Sequence, residues 1–224
     1  MTTAARQGPG TPQSMNAGGG DEEQKNPLPA GDHDENPRGI GLTALLAEDF
    51  RTHGSSLLAP GFWALAAHRF GNWRMGIRSR ALRAPLSLAY GIAHQGMIAM
   101  FGIDLPYNAK LGRRLRIDHH GAVFVGSREI GDDVRIRHAV TIGLRRRTDR
   151  VAPTIGSRVE IGPNACIVGD IHVGDESYIC ANTVLAQDVP KGATVLGVPG
   201  RVVDLARFLE PAVEEQGRPP PIRS

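Results

Sequence analysis

The stretch RIDHHGAVFVG, Arg116 to Gly126, places a carboxylate and two adjacent imidazoles in a row, at Asp118, His119 and His120. A neutral imidazole near pH 7 can take the proton of a hydroxyl as that oxygen attacks, so the pair contains a candidate general base. Two other readings compete: a metal site, or polar residues on the outside of a strand. Neighbours on an extended chain point to opposite faces, so His119 and His120 diverge and would not chelate one ion. His138 and His172 fall in separate repeats and read as surface residues, and no other His or Cys cluster supplies ligands. No metal is expected. Cys166 and Cys180 are too few for a disulfide framework, and neither is read as a nucleophile; a reducing cytosol is the simplest setting.

The frame that must position these residues shows in a six-residue period. Aliphatics recur at Leu111, Ile117 and Val123, then after one extra residue at Ile130, Ile136 and Ile142. Past a longer gap the register resumes at Ile155, Ile161, Ile167, Val173, Ile179 and Leu185. Four positions after most of them stands a small or β-branched residue: Val134, Val140, Val159, Ala165, Ile171, Ser177, Thr183 and Val189. A period of six demands identical short strands joined by identical tight turns and stacked as a solenoid. Three such strands make one triangular coil of a parallel β-helix with the aliphatic positions inside. LRRRTDRVAPT, Leu144 to Thr154, interrupts the period as a polar loop at one corner, where such insertions commonly border a binding site.

The remaining chain divides by composition. Residues 1–40 are rich in Gly, Pro, Asn and acids and read as a disordered tail. Residues 41–102 change to a helical pattern, with Leu42, Leu45, Leu46 and Phe50, then Phe62, Leu65, Ala66 and Phe70, at helical spacing; Pro60 and Pro85 fit breaks between helices. The β-helix occupies 103–203, with GVPGRVV giving a turn and a closing strand. Residues 204–224 begin with DLARFLE, which starts a short helix, and end in a Pro-rich tail. The net charge of +3 over 26 Lys+Arg and 23 Asp+Glu makes no strong field, so nucleic acid is not an expected partner. No apolar leader precedes the tail, and Ala84 to Phe101, the most apolar stretch, is interrupted by His94 and Gln95, so neither secretion nor a membrane is expected.

With the repeats, GIDLPYNAKLGRRLRIDHHGAVFVG, VTIG, a corner loop containing DR, VLGVPGRVV and the helical GFWALAAHRFGNW, the chain resembles the serine O-acetyltransferases among hexapeptide-repeat acyltransferases, over roughly 57–203. The resemblance implies a mainly β fold: a left-handed parallel β-helix preceded by a small α-helical segment and a disordered N-terminal tail. It implies His119 as the base, Asp104 as the carboxylate that orients it, and Asp118 and Arg150 as residues that position the acceptor. His120 is then a bystander. Acetyl-CoA is the implied donor, lying in the groove between β-helices of a homotrimer. There Gly143, Gly162 and Ala181 would face the pantetheine arm, and Lys191 and Arg201 would meet its phosphates.

The chain also departs from that family. Its corner loop normally ends in an Arg-His-Pro triplet; here Arg150 is kept, Arg145 to Arg147 replace glycines, and Val151 or Ala152 stands where His would be. Ser127 occupies the place of a Glu, the helical segment is shorter than in the long bacterial form, and GRPPPIRS lacks the terminal isoleucine that docks into cysteine synthase. The expectation is a cytosolic trimer without that complex, transferring acetyl from acetyl-CoA to a small-molecule acceptor. L-serine, in cysteine biosynthesis, leads. A sugar hydroxyl in polysaccharide or natural-product assembly is the rival acceptor, and a non-catalytic β-helix scaffold is the rival class.

Overall fold

A computed structural model describes residues 31–119, 121–146, 148–149 and 151–204. Three helices come first: α1 (Leu42–Thr52), α2 (Pro60–Trp73) and α3 (Arg80–Phe101). Pro60 opens α2, at the position where a missing N–H costs nothing. Pro85 does not break a helix as the sequence reading expects. It lies inside α3, where it deletes one bond near the start and the helix runs on. The break falls instead at a single 3-10 turn, Arg74–Gly76, ahead of α3. Residues 31–40 also depart from the reading of a loose tail, because they pack on α2: Asn36 Nδ2 donates to Arg69 O (2.9 Å) and the Glu35 N–H to Asn72 Oδ1 (3.2 Å). Residues 1–30 and the expected terminal helix lie outside the described residues.

Among the described residues fifteen short strands follow and fall into three sheets. The first holds β1 (Ile103–Asp104), β4 (Val123–Val125), β7 (Thr141–Gly143), β10 (Cys166–Val168) and β13 (Val184–Leu185). The second holds β2 (Lys110–Leu111), β5 (Glu129–Ile130), β8 (Thr154–Ile155) and β11 (His172–Val173). The third holds β3 (Arg116–Ile117), β6 (Arg135–Ile136), β9 (Glu160–Ile161), β12 (Tyr178–Ile179) and β14 (Thr194–Leu196), closed by the antiparallel β15 (Arg201–Val203). From β1 to β13 the partners lie three strands apart and run parallel, which is the topology of a three-sided β-helix; in the last coil β12 pairs in parallel with β14. All twelve aliphatics of the six-residue register are buried to 4% exposure or less in one core cluster, although beside Ile142 the inward place is taken by Val125 rather than Val123. Polar residues in the small-residue set satisfy themselves there: Ser177 Oγ donates to Gly174 O (2.7 Å).

The helices are clamped to the first coil by buried polar groups. Arg69, fully buried on α2, pairs with Asp49 of α1 (3.1 Å) and donates to the carbonyls of Leu111 (3.0 Å) and Gly112 (2.6 Å). Burial raises the Asp49 carboxyl pKa against the pull of Arg69. His68 reaches Ala109 O through Nε2 (2.8 Å), and burial pushes its pKa down to about 3, so the ring is neutral and Nε2–H donates.

Candidate active site

His119 occupies the corner between β3 and β4. Register pairs Ile117 with Ile136 and Val125 with Ile142, so eight positions separate Ile117 from Val125 where six separate Ile136 from Ile142. The extra residue that the periodicity places after Val123 is thus a two-residue surplus within the His corner, and Val123 and Val125 are both buried. A corner with two residues too many must bulge. The backbone turns left-handed at His119 (φ 63°), Gly121 (φ 113°) and Ala122 (φ 53°), and the imidazole is exposed. The left-handed turn at Ala122 recurs at Ala139, Asn164 and Asn182 in the following coils, so the surplus residues and the turn at His119 are what set this corner apart.

The ring of His119 meets that of His138 edge to face, with centroids 5.8 Å apart. His138 follows Ile136 as His119 follows Ile117, so the two histidines stack one coil apart. His138 is exposed, as expected, but it is also the neighbour of the candidate base.

Asp118 is held from three sides. Its N–H donates to Ile136 O (2.9 Å), Oδ1 accepts from Arg116 Nε, and Oδ2 lies 3.3 Å from Arg135 Nε. Arg116 is itself anchored on the end of α1 through Thr52 O (3.0 Å). The N–H of Ile117, one residue before, donates to His53 Nε2 (3.2 Å), while His53 Nδ1–H donates to Asp49 O (2.8 Å). Burial lowers the His53 pKa, favouring the neutral ring that this pair of bonds requires. The end of α1 therefore fixes the strand from which Asp118 and His119 emerge.

Asp104 ends β1 with Ile103 turned into the core and its own carboxylate outward. Oδ1 accepts from His94 Nε2 of α3 at 3.1 Å; among the described residues no hydrogen bond joins Asp104 to His119.

The residues expected to hold the donor do not gather on one edge of a single chain. Gly162 and Ala181 continue the corner of His119 and His138 one and two coils on. A Cβ on Gly162 would stand 2.7 Å from Ala181 N, so the stacked backbones are bare there. Gly143 ends β7 at the next corner, beside the 144–153 loop, where a Cβ would meet nothing within 4 Å. Lys191 stands on the third corner, 3.7 Å from Glu176, and Arg201 is exposed on β15. The physical reason is the prism itself: successive strands end at successive corners, and only every third corner shares an edge. Arg150 and His120 lie outside the described residues. The loop is tied down by Ala152, buried at 1%, and by Asp149 Oδ2, which accepts the Arg146 N–H (3.0 Å). The two cysteines are free, and burial raises the Cys180 thiol pKa, which leaves it protonated. Among the described residues no group of three or more His, Cys, Asp or Glu could hold a metal ion, and no helix is long and apolar enough to cross a membrane.

This geometry has close relatives. The profile of the bacterial transferase hexapeptide family (six repeats) matches residues 152–187. A serine acetyltransferase of Mycobacterium tuberculosis is 39% identical over 146 residues, 64% of this chain and 61% of that protein. One of Helicobacter pylori is 37% identical over 151 residues, 66% of this chain and 83% of its own length. The chain belongs to the serine acetyltransferase family of hexapeptide-repeat acyltransferases. Within the reach of that family also lies the putative colanic acid biosynthesis acetyltransferase WcaB of Escherichia coli, 36% identical over 70% of this chain and 98% of that protein. Among solved serine acetyltransferases, the Brucella abortus enzyme in complex with coenzyme A superposes with a TM-score of 0.60 at 28% identity, over 72% of this chain and 67% of that one. The soybean enzyme complexed with serine gives 0.60 at 30% identity, over 72% and 69%.

Against the family pattern, Arg116, Arg135, His138 and His94 are the residues that sequence reasoning missed. The one available signal was the coil register, which carries His119 onto His138. His94 approaches from a helix and obeys no such period.

Proposed function

We propose that the chain is an acetyl-CoA-dependent serine O-acetyltransferase. The observation that carries the reading is His119: an exposed imidazole on a bulged corner, at the head of an edge that continues past His138 to bare backbone at Gly162 and Ala181. Such an edge suits an extended thiol-ester arm. His119 takes the proton from the serine hydroxyl as the oxygen attacks the acetyl carbonyl, and it returns that proton to the leaving thiolate. Backbone N–H groups of the corner stabilise the developing oxyanion. Asp104, through the carboxylate oxygen that His94 leaves unbonded, holds the far side of the imidazole and steadies its positive charge. Asp118 and Arg150 position the amino acid. Transfer is direct, with no covalent enzyme intermediate.

Acetyl-CoA as co-substrate is supported by the coenzyme A complex of the Brucella relative, and serine by the soybean complex. The separation of Gly143, Lys191 and the 144–153 loop from the His119 edge supports a homotrimer, in which the loop corner of one copy faces the His edge of the next. Lys191 and Arg201 then meet the phosphates. The cytosol, where the two free cysteines stay reduced, is the proposed compartment.

A second reading, acetylation of a sugar hydroxyl, is favoured by the near-complete coverage of the colanic acid relative and by the exposed Arg145 and Arg146 in the corner loop. Free-thiol release from acetyl-CoA, measured with L-serine, L-homoserine and a panel of sugars, separates the readings. Turnover highest with serine is expected. Turnover with a sugar alone replaces the acceptor, and none with any acceptor by the assembled trimer leaves a scaffold.

A further inference from the structure

We infer that His94 of α3 is a positioning residue for Asp104, so that the helical segment takes part in setting the base. This rests on the proposed reaction in one respect, that Asp104 serves His119. A carboxylate at the end of a two-residue strand is free to rotate unless one oxygen is tied. Here His94 Nε2 donates to Oδ1 at 3.1 Å, while Oδ2 has no hydrogen-bond partner among the described residues. The tie sets the plane of the carboxylate and leaves one oxygen for a second imidazole, giving the order His94–Asp104–His119.

His94 is itself fixed, which distinguishes it from a casual surface partner. Its side chain is 16% exposed, and its ring stacks on Tyr90 with centroids 5.4 Å apart and planes 14° apart. Tyr90 OH accepts the Tyr107 N–H (3.1 Å), and the Arg74 guanidinium lies over both tyrosine rings, 4.7 Å from Tyr90 and 4.5 Å from Tyr107. A chain of contacts thus runs from the 3-10 turn through two aromatic rings to the imidazole and its carboxylate. Gly102, left-handed at φ 63°, turns α3 directly into β1 and so brings the two partners together; a Cβ there would stand 2.9 Å from Ala122 N.

The test compares His94→Leu, which removes the donor, with His94→Gln, which restores an N–H of similar reach. Loss of the partner that orients a metal-bound imidazole costs about 10–100-fold in activity, and a loss of similar order is expected for this orienting bond. The expected result for His94→Leu is a fall of that size in kcat, with KM for both substrates within about twofold, because only the reacting base is disturbed. His94→Gln should recover most of the loss. Equal kcat in His94→Leu and wild type, or equal impairment of the Gln and Leu variants, overturns the inference. A second readout needs no acceptor: the ring-nitrogen NMR shifts of His119 in the coenzyme A-bound protein, which report its tautomer. These should match between wild type and His94→Gln and differ in His94→Leu; identical spectra in all three overturn the inference. Wild-type protein that acetylates nothing would defeat the proposed reaction alone and leave this spectral comparison to decide the placement of His94.

Discussion

Asp118 meets two guanidiniums, Arg116 and Arg135, the second of which also lies 3.8 Å from Glu160, and in the proposed role of Asp118 this balance bears on what the acceptor site can take. An ammonium group brought to Asp118 competes with both arginines, whereas an anionic group beside them is welcomed. Replacing Asp118 with Asn removes the carboxylate charge proposed to hold the amino group of the acceptor. A charge-assisted hydrogen bond contributes about 1.5–3 kcal/mol, so Asp118→Asn should raise KM for serine about 10–100-fold while KM for acetyl-CoA stays level. Steady-state kinetics with each substrate varied checks this, and a level KM for serine would place the amino group elsewhere. At this scale the sequence was only partly legible. Asp118 and His119 stand in one motif, but Arg135 and His138 reach them from the next coil, and His94 reaches Asp104 from a helix. Contacts between coils follow from three-dimensional register, which had to be known to within two residues at the bulged corner.

The helical elements act on the site through their docking. The Asp49–Arg69 pair joins α1 to α2, Arg69 grips the first coil, and His53 at the end of α1 takes the N–H of Ile117. Removing one partner of a buried ion pair leaves the other charge unpaired, at a cost of about 3–5 kcal/mol. Asp49→Ala should lose that much stability in urea unfolding, and a loss under about 1 kcal/mol would show that the clamp is not structural. The β-helix was legible because its period sets the inward residues outside the bulged corner, and all twelve aliphatics named from that period are buried. The helices were legible as a segment but not at their joints: Pro85 suggested a break, yet α3 carries it as its sixth residue and runs on without the bond its N–H would have made. The buried Asp49, His53, His68 and Arg69 carried no signal, since their partners are backbone groups and side chains remote in sequence.

Across the whole molecule these buried rings make stability depend on pH. His53 and His68 have pKa values lowered by burial, His68 to about 3, so below the ordinary histidine value of 6.5 the unfolded chain binds protons that the folded chain refuses. Their contribution is full above pH 6.5 and drains away as pH falls toward the folded-state values. Between pH 6.5 and about 5, above the carboxylate range, stability should decline by up to about 1.4 kcal/mol per pH unit for each histidine. Urea melts across that window check it, and His68→Gln should flatten the slope. The most direct measurement is of the product: O-acetyl-L-serine by mass spectrometry against thiol released from acetyl-CoA, for wild type and His119→Ala. One product per thiol is expected in the wild type, with a rate about 10²–10⁴-fold lower in His119→Ala. Thiol release without O-acetyl-L-serine, or a His119→Ala rate equal to wild type, would contradict the proposed reaction.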